Sequence, residues 1–118
     1  MIGVPGYYSV LVDRSGQHVT VYVDGELDAC SSPELITTVL REVDRPATVV
    51  WLDLSAVTFC DLSALAAMND LHQQVTSRGG RLGLHLPSRP VLRMIELTGI
   101  GSTIPVQGTP ATTVALRL

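Results

Sequence analysis

The chain has 118 residues, 46% apolar and 16% charged, with a net charge of −3 at neutral pH. That length fits one domain, and that apolar share can bury a core, which excludes an intrinsically disordered chain. The eight basic residues are all Arg and lie scattered, so the basic stripe of a nucleic-acid binder and the polybasic patch of a membrane-surface binder are both missing.

No apolar run approaches the ~20 residues that a membrane helix needs. Met1 to Tyr8 lacks the basic start and the apolar stretch of a signal peptide. The two cysteines, Cys30 and Cys60, have no metal-ligand spacing, and a reduced cytoplasmic compartment is expected. Aromatic residues are few, so Val, Leu, Ile and Ala must build the core.

Tyr7 to Asp13 reads as a first strand and Arg14 to Gln17 as a turn. From His18 to Asp24, Val19, Val21 and Val23 alternate with Thr20, Tyr22 and Asp24, which is a half-buried strand completing a hairpin. Gly25-Glu26-Leu27-Asp28 breaks that alternation. Ser31 or Ser32 then caps a helix with Pro33 in its first turn and Glu34 near the positive end of its dipole. Leu35, Ile36, Val39, Leu40 and Val43 form its stripe, and Arg45-Pro46 ends it.

Thr48 to Leu54 is a β-rich run without alternation, as expected of a central strand covered by helices on at least one face. Asp61 to Arg78 carries the longest helical pattern. Its core stripe is Leu65, Met68, Leu71 and Val75, with Ala64, Ala66 and Ala67 allowing close approach to the sheet, and Gly79-Gly80 stops it. Arg81 to Leu86 is a further strand. Ser88-Arg89-Pro90 opens a short helix bearing Val91, Leu92, Ile95 and Leu97, which ends at Gly99. Thr103 to Val106 reads as a short last strand, and Thr109-Pro110 as the cap of a final turn of helix towards Leu118. The order β-β-α-β-α-β-α-β, without linker or repeat, predicts a single α/β domain over residues 1–118. Its sheet should be mixed, mainly parallel and of about five strands, with right-handed crossovers and helices packed on it.

In open α/β sheets, ligands and partners gather where strands end and helices begin. Two such turns stand out, Gly25 to Ser32 and Phe59 to Ser63, and they are expected at the same end of the domain. Asp61 sits where an N-cap belongs, which places Ser63 in the first helical turn beside unpaired backbone N–H groups. A phosphate there would meet those donors and the helix dipole, a gain of about 0.3–1 kcal/mol. It would add about −1.5 to −2 charges to a docking surface, enough to switch binding without unfolding the domain. Plainer roles fit the same residues: Ser63 as a good helix-start residue, Asp28 as a strand terminator, and Asp61 as a cap contributing about 1 kcal/mol. Cys30 and Cys60, one in each turn, either form a redox-sensitive pair or are two small buried thiols.

Catalytic and cofactor signatures are missing. His18, His72 and His85 fall on different elements with no metal-ligand spacing. No Gly-rich nucleotide loop occurs, and Ser63 lacks both the Gly-x-Ser-x-Gly frame and a His to activate it. A binding protein without metal or cofactor is therefore expected, rather than an enzyme.

Three blocks carry a family resemblance: Gly25-Glu26-Leu27-Asp28-Ala29, the run Asp53 to Leu65, and Gly79-Gly80-Arg81-Leu82 followed by Leu97-Thr98-Gly99-Ile100. Together they are similar to the STAS domain and, more narrowly, resemble bacterial anti-sigma factor antagonists over nearly the whole chain. The resemblance implies a STAS-like fold and a partner-switching cycle. The antagonist binds an anti-sigma factor that has a serine-kinase-like ATPase domain, is phosphorylated by it and released, and a phosphoserine phosphatase restores it. In the family motif Asp-Ser-Ser-Gly-Leu the second serine is the phosphoacceptor, which is Ser63 here. The leading Asp matches Asp61, and the Gly-x-Leu-Asp block supplies Asp28, both implied at the docking surface. Leu62 replaces the first serine and adds an apolar docking contact. Ala64 replaces the glycine and stiffens the turn by up to about 1 kcal/mol. The alternative implied by the same family is a STAS module that binds without phosphorylation, in a transporter or another multiprotein complex.

Overall fold

A computed structural model describes residues 6–108. The elements in chain order are β1 (Tyr8–Ser15), β2 (His18–Leu27), α1 (Ser32–Glu42), β3 (Val49–Cys60), α2 (Leu62–Ser77), β4 (Arg81–His85), α3 (Arg89–Thr98) and β5 (Val106–Gln107). They form one five-stranded sheet in the order β1-β2-β3-β4-β5. The hairpin pair β1–β2 is antiparallel and every other neighbouring pair is parallel. This is the mixed, mainly parallel α/β sheet expected. The final turn of helix expected after Thr109 lies outside the described residues.

Alternation assigns the faces. Val19, Val21 and Val23 of β2 are buried, together with Val50, Leu52 and Leu54 of β3 and Leu82 and Leu84 of β4. Leu35 and Val39 from α1, Leu71 and Val75 from α2, and Val91 and Ile95 from α3 complete the same cluster. Burying a fully enclosed side chain such as Leu52 or Leu71 stabilises the fold by about 1.5–3 kcal/mol. On the other face Leu11 pairs across the hairpin with Tyr22, and both are exposed. There Trp51 lies over Gly83, where an added Cβ would come within 2.3 Å of the indole ring. The unalternated run in β3 is thus explained by an aromatic on the helix-free face and aliphatics on the other.

Two boundaries differ from expectation. β2 runs on to Leu27 rather than stopping at Asp24, and β3 runs on to Cys60 rather than Leu54. Register shifts between Tyr22 and Asp24, and between Gly25 and Glu26, allow pairing to resume as far as Leu27 against Cys60. Each shift disturbs the two-residue period, so the extension does not look like strand in the sequence. Gly25 makes this bulge feasible: its φ is +102°, and a Cβ would stand 2.3 Å from the Tyr7 carbonyl oxygen. The last strand is also displaced. Ile100–Ser102 form a 3₁₀ turn, and β5 is only Val106–Gln107.

Helix ends follow the chemistry of the chain. Gly99, at φ +70°, closes α3 with its N–H bonded to the Ile95 carbonyl at 2.9 Å. Arg14 donates to the Glu42 carbonyl at the end of α1 at 2.9 Å, and also pairs with Asp44. One guanidinium thereby ties the hairpin to a helix C-terminus whose carbonyls need donors.

Candidate functional site: two strand-to-helix turns

Because β2 and β3 are parallel neighbours, both turns leave the same end of the sheet. The Asp61 N–H donates to the Leu27 carbonyl at 3.3 Å, which joins them directly.

In the first turn Asp28 organises its own loop. Its Oδ1 accepts from the Cys30 N–H at 2.9 Å and the Ser31 N–H at 3.0 Å. Its carbonyl accepts from the Ser32 hydroxyl at 2.6 Å. The Ser31 N–H chiefly, joined by the Cys30 N–H and the Ser31 hydroxyl, holds the Asp28 carboxyl below its usual range. Ser31 occupies the N-cap position of α1 but makes no side-chain cap bond. Its hydroxyl instead donates to the Glu26 carbonyl at 2.8 Å and accepts from the Asp28 N–H at 3.0 Å. Ser31 and Ser32 are both buried.

The second turn is a single residue long. Asp61, in extended conformation, is the N-cap of α2, and its Oδ1 accepts from the Ala64 N–H at 3.0 Å. The same oxygen accepts from the Ser63 hydroxyl at 2.5 Å. Ser63 is exposed at the second position of α2. Leu62 before it is 65% exposed. Ala64 after it is buried, so its methyl reaches a partner only indirectly, through the stiffness of the turn.

The cysteines occupy different surroundings: Cys30 is exposed, Cys60 is buried, and both are free thiols. Burial, with the Asp61 charge adding, pushes the Cys60 thiol up to about 12. The histidines remain apart, on β2, α2 and β4.

A groove of about 440 Å³ adjoins the second turn. Leu62, Leu65, Ala66 and Asn69 of α2 form one wall, and the segment around Gly99 and Ile100 forms the other. Ala66, expected on the sheet-facing side, is instead exposed on the groove wall. An apolar Leu62 one turn before a small Ala66 was the local signal for this surface.

A family model described as the STAS domain matches residues 9–113, most of the chain. The chain belongs to the STAS domain family. An anti-sigma-B factor antagonist of Listeria monocytogenes is 24% identical over 95 residues, 80% of this STAS domain and 83% of that protein. In solved structures the fold is matched by an anti-sigma factor antagonist from Mycobacterium paratuberculosis, at TM-score 0.79 and 24% identity over 98% of this chain and 97% of that one. It is also matched by the phosphorylated form of the Bacillus cell-fate determinant SpoIIAA, at TM-score 0.64 and 14% identity over 93% and 100% of the two chains. Among the described residues, no helix of this STAS domain is long and apolar enough to cross a membrane.

Proposed function

We propose that this STAS domain is an anti-sigma factor antagonist. It acts in the cytoplasm, by binding rather than by catalysis. Its partner is an anti-sigma factor with a serine-kinase-like ATPase domain, and phosphorylation of Ser63 by that partner ends the complex. A phosphoserine phosphatase restores the binding form. Asp28, Asp61 and Leu62 belong to the docking surface, and Ala64 sets the rigidity of the turn beneath it.

One observation carries this reading. Ser63 is the exposed hydroxyl at the head of α2, at the position of the family's phosphoacceptor, while Ser31 and Ser32 in the neighbouring turn are buried. A kinase can reach the first without opening the fold and cannot reach the other two. Once esterified, Ser63 no longer donates to Asp61, and its dianion stands beside that carboxylate on a surface shaped for a neutral hydroxyl.

The test is intact-mass spectrometry after incubation with the purified anti-sigma factor and ATP. One phosphate is expected on the wild-type chain, none on Ser63→Ala, and one on the Ser31→Ala control. A stable complex that transfers no phosphate would overturn the switch and leave the binding, whereas capture of a transporter component in place of a kinase would favour the non-phosphorylated STAS module.

A further inference from the structure

We propose that the outer edge of β1 is a self-association surface, at which a second copy of this chain continues the sheet across a two-fold axis at Leu11. The proposal is independent of the reading of Ser63.

The two edges of the sheet are unequal. β5 is two residues long, whereas β1 runs for eight, from Tyr8 to Ser15, and pairs with β2 in unbroken register. The Glu26 N–H donates to the Tyr7 carbonyl at 2.8 Å, so the odd-numbered residues of this strand bond inwards to β2. By alternation the N–H and C=O groups of Tyr8, Val10, Val12 and Arg14 point outwards, where no other strand of the described residues meets them. A long edge is commonly blunted by a proline, a bulge or a mid-strand charge, and Tyr8 to Val12 carries none of these. The one base, Arg14, is drawn towards α1 by Glu42 and Asp44.

Charge and side-chain pattern select a second copy as the occupant. In an antiparallel pairing centred on Leu11, Val10 faces Val12 of the second copy, Tyr8 faces Arg14, and Ser9 faces Asp13. Every outward group from Tyr8 to Arg14 is then paired, in about eight main-chain hydrogen bonds. Leu11, 67% exposed, meets its own counterpart and leaves water. Each Asp13 carboxylate gains a serine hydroxyl across the seam, and no like charges stand opposite one another. Moving the axis to Val12 would set Asp13 against Leu11, and a parallel in-register pairing would line up Asp13 with Asp13 and Arg14 with Arg14. The strand is thus complementary to itself in one arrangement, as a two-fold interface requires.

Antiparallel pairing of β1 also reverses β2 and β3 of the second copy. The Asp28 and Asp61 turns of the two copies therefore leave the joined sheet at opposite ends, and the dimer presents both sets of turns uncovered.

The test is sedimentation velocity on the purified chain, which should show a dimer at about 100 μM that dissociates on dilution. Leu11→Lys sets two like charges across the axis and should weaken dimerisation at least about 10-fold. Leu97→Lys, the same change at a 72% exposed leucine of α3, should stay within about 2-fold of wild type. Both positions are exposed, so thermal melting should show the fold retained in each. Cysteine cross-linking in a Cys30→Ser background reads the register. Leu11 and its counterpart form a non-hydrogen-bonded pair with Cα atoms about 4.5 Å apart, within reach of a disulfide, so Leu11→Cys should oxidise to a covalent dimer. Ser9 and its counterpart are offset by about 14 Å along the strands, so Ser9→Cys should not. A monomer at about 100 μM, or a dimer that Leu11→Lys leaves intact, would overturn the proposal. Cross-linking through Ser9→Cys in place of Leu11→Cys would overturn it as well.

Discussion

The two strand-to-helix turns draw on the same residue types, an Asp and a cysteine with two serines after the first Asp and one after the second, and use them in opposite ways. In the β2–α1 turn the carboxylate and both serines are consumed by backbone groups of the loop itself. In the β3–α2 turn one carboxylate oxygen holds both the helix cap and the serine, and the serine stays at the surface. The difference teaches that burial, rather than residue type, decides which hydroxyl is a structural strut and which is open to chemistry.

The largest contrast should be in the thiols. With its pKa pushed up to about 12, Cys60 carries a thiolate population about a thousandfold below that of an ordinary cysteine. Ellman's reagent at pH 8 should therefore titrate one thiol quickly in the folded protein and the second only on unfolding. Two fast thiols would break the contrast, and would reopen a Cys30–Cys60 redox pair.

Hydroxyl removal comes next. Ser31→Ala leaves the Asp28 N–H and the Glu26 carbonyl without this partner in a part-buried site, and should cost about 1 kcal/mol or more in urea denaturation. Asp61→Ala removes the α2 cap and should cost about 1 kcal/mol, with Asp61→Asn recovering part of it. Ser63→Ala should change stability by no more than about 0.5 kcal/mol, because its surroundings are solvent. Equal costs for Ser31→Ala and Ser63→Ala would erase the distinction between strut and switch.

The smallest effect is on acid behaviour. The Asp28 carboxyl is held below its usual range in the folded chain, so its ionised form favours folding. That contribution is present above the unfolded-state pKa of about 3.9 and is lost as pH falls through the lowered folded value. The amide resonances of Cys30 and Ser31 should titrate below the usual carboxylate range. A midpoint at or above it would mean that the carboxylate does not organise this loop.

Much of the fold was legible because periodicity and punctuation agreed. The alternating valines of β2, the Asp61 cap, the Gly99 stop and the Arg45-Pro46 break each have a local cause. The far ends of β2 and β3 were not legible, since register shifts around Gly25 scramble the two-residue pattern on which a strand reading rests. The 3₁₀ turn at Ile100 was missed because its bonds form within one turn and leave no period to see. At the site, the positions of Asp28, Asp61 and Ser63 could be read from the motif. The burial of Ala64 agrees with its expected approach to the sheet, whereas that of Ser31 could not be read, because it depends on how the strand ends pack under the helices. Nor could the groove, which unites Leu62 with Gly99 only after α2 and α3 have come together.

Trp51 is the only tryptophan of the chain and lies on the helix-free face, stacked over Gly83. Nine residues of β3, about 30 Å of extended chain, separate it from Asp61. Its fluorescence therefore reports on the sheet, and docking of a partner without tryptophan on the α2 turn should leave that emission unchanged. Free, bound and phosphorylated forms can be melted against the same optical signal, so that a shift in midpoint reads out stability without interference from docking.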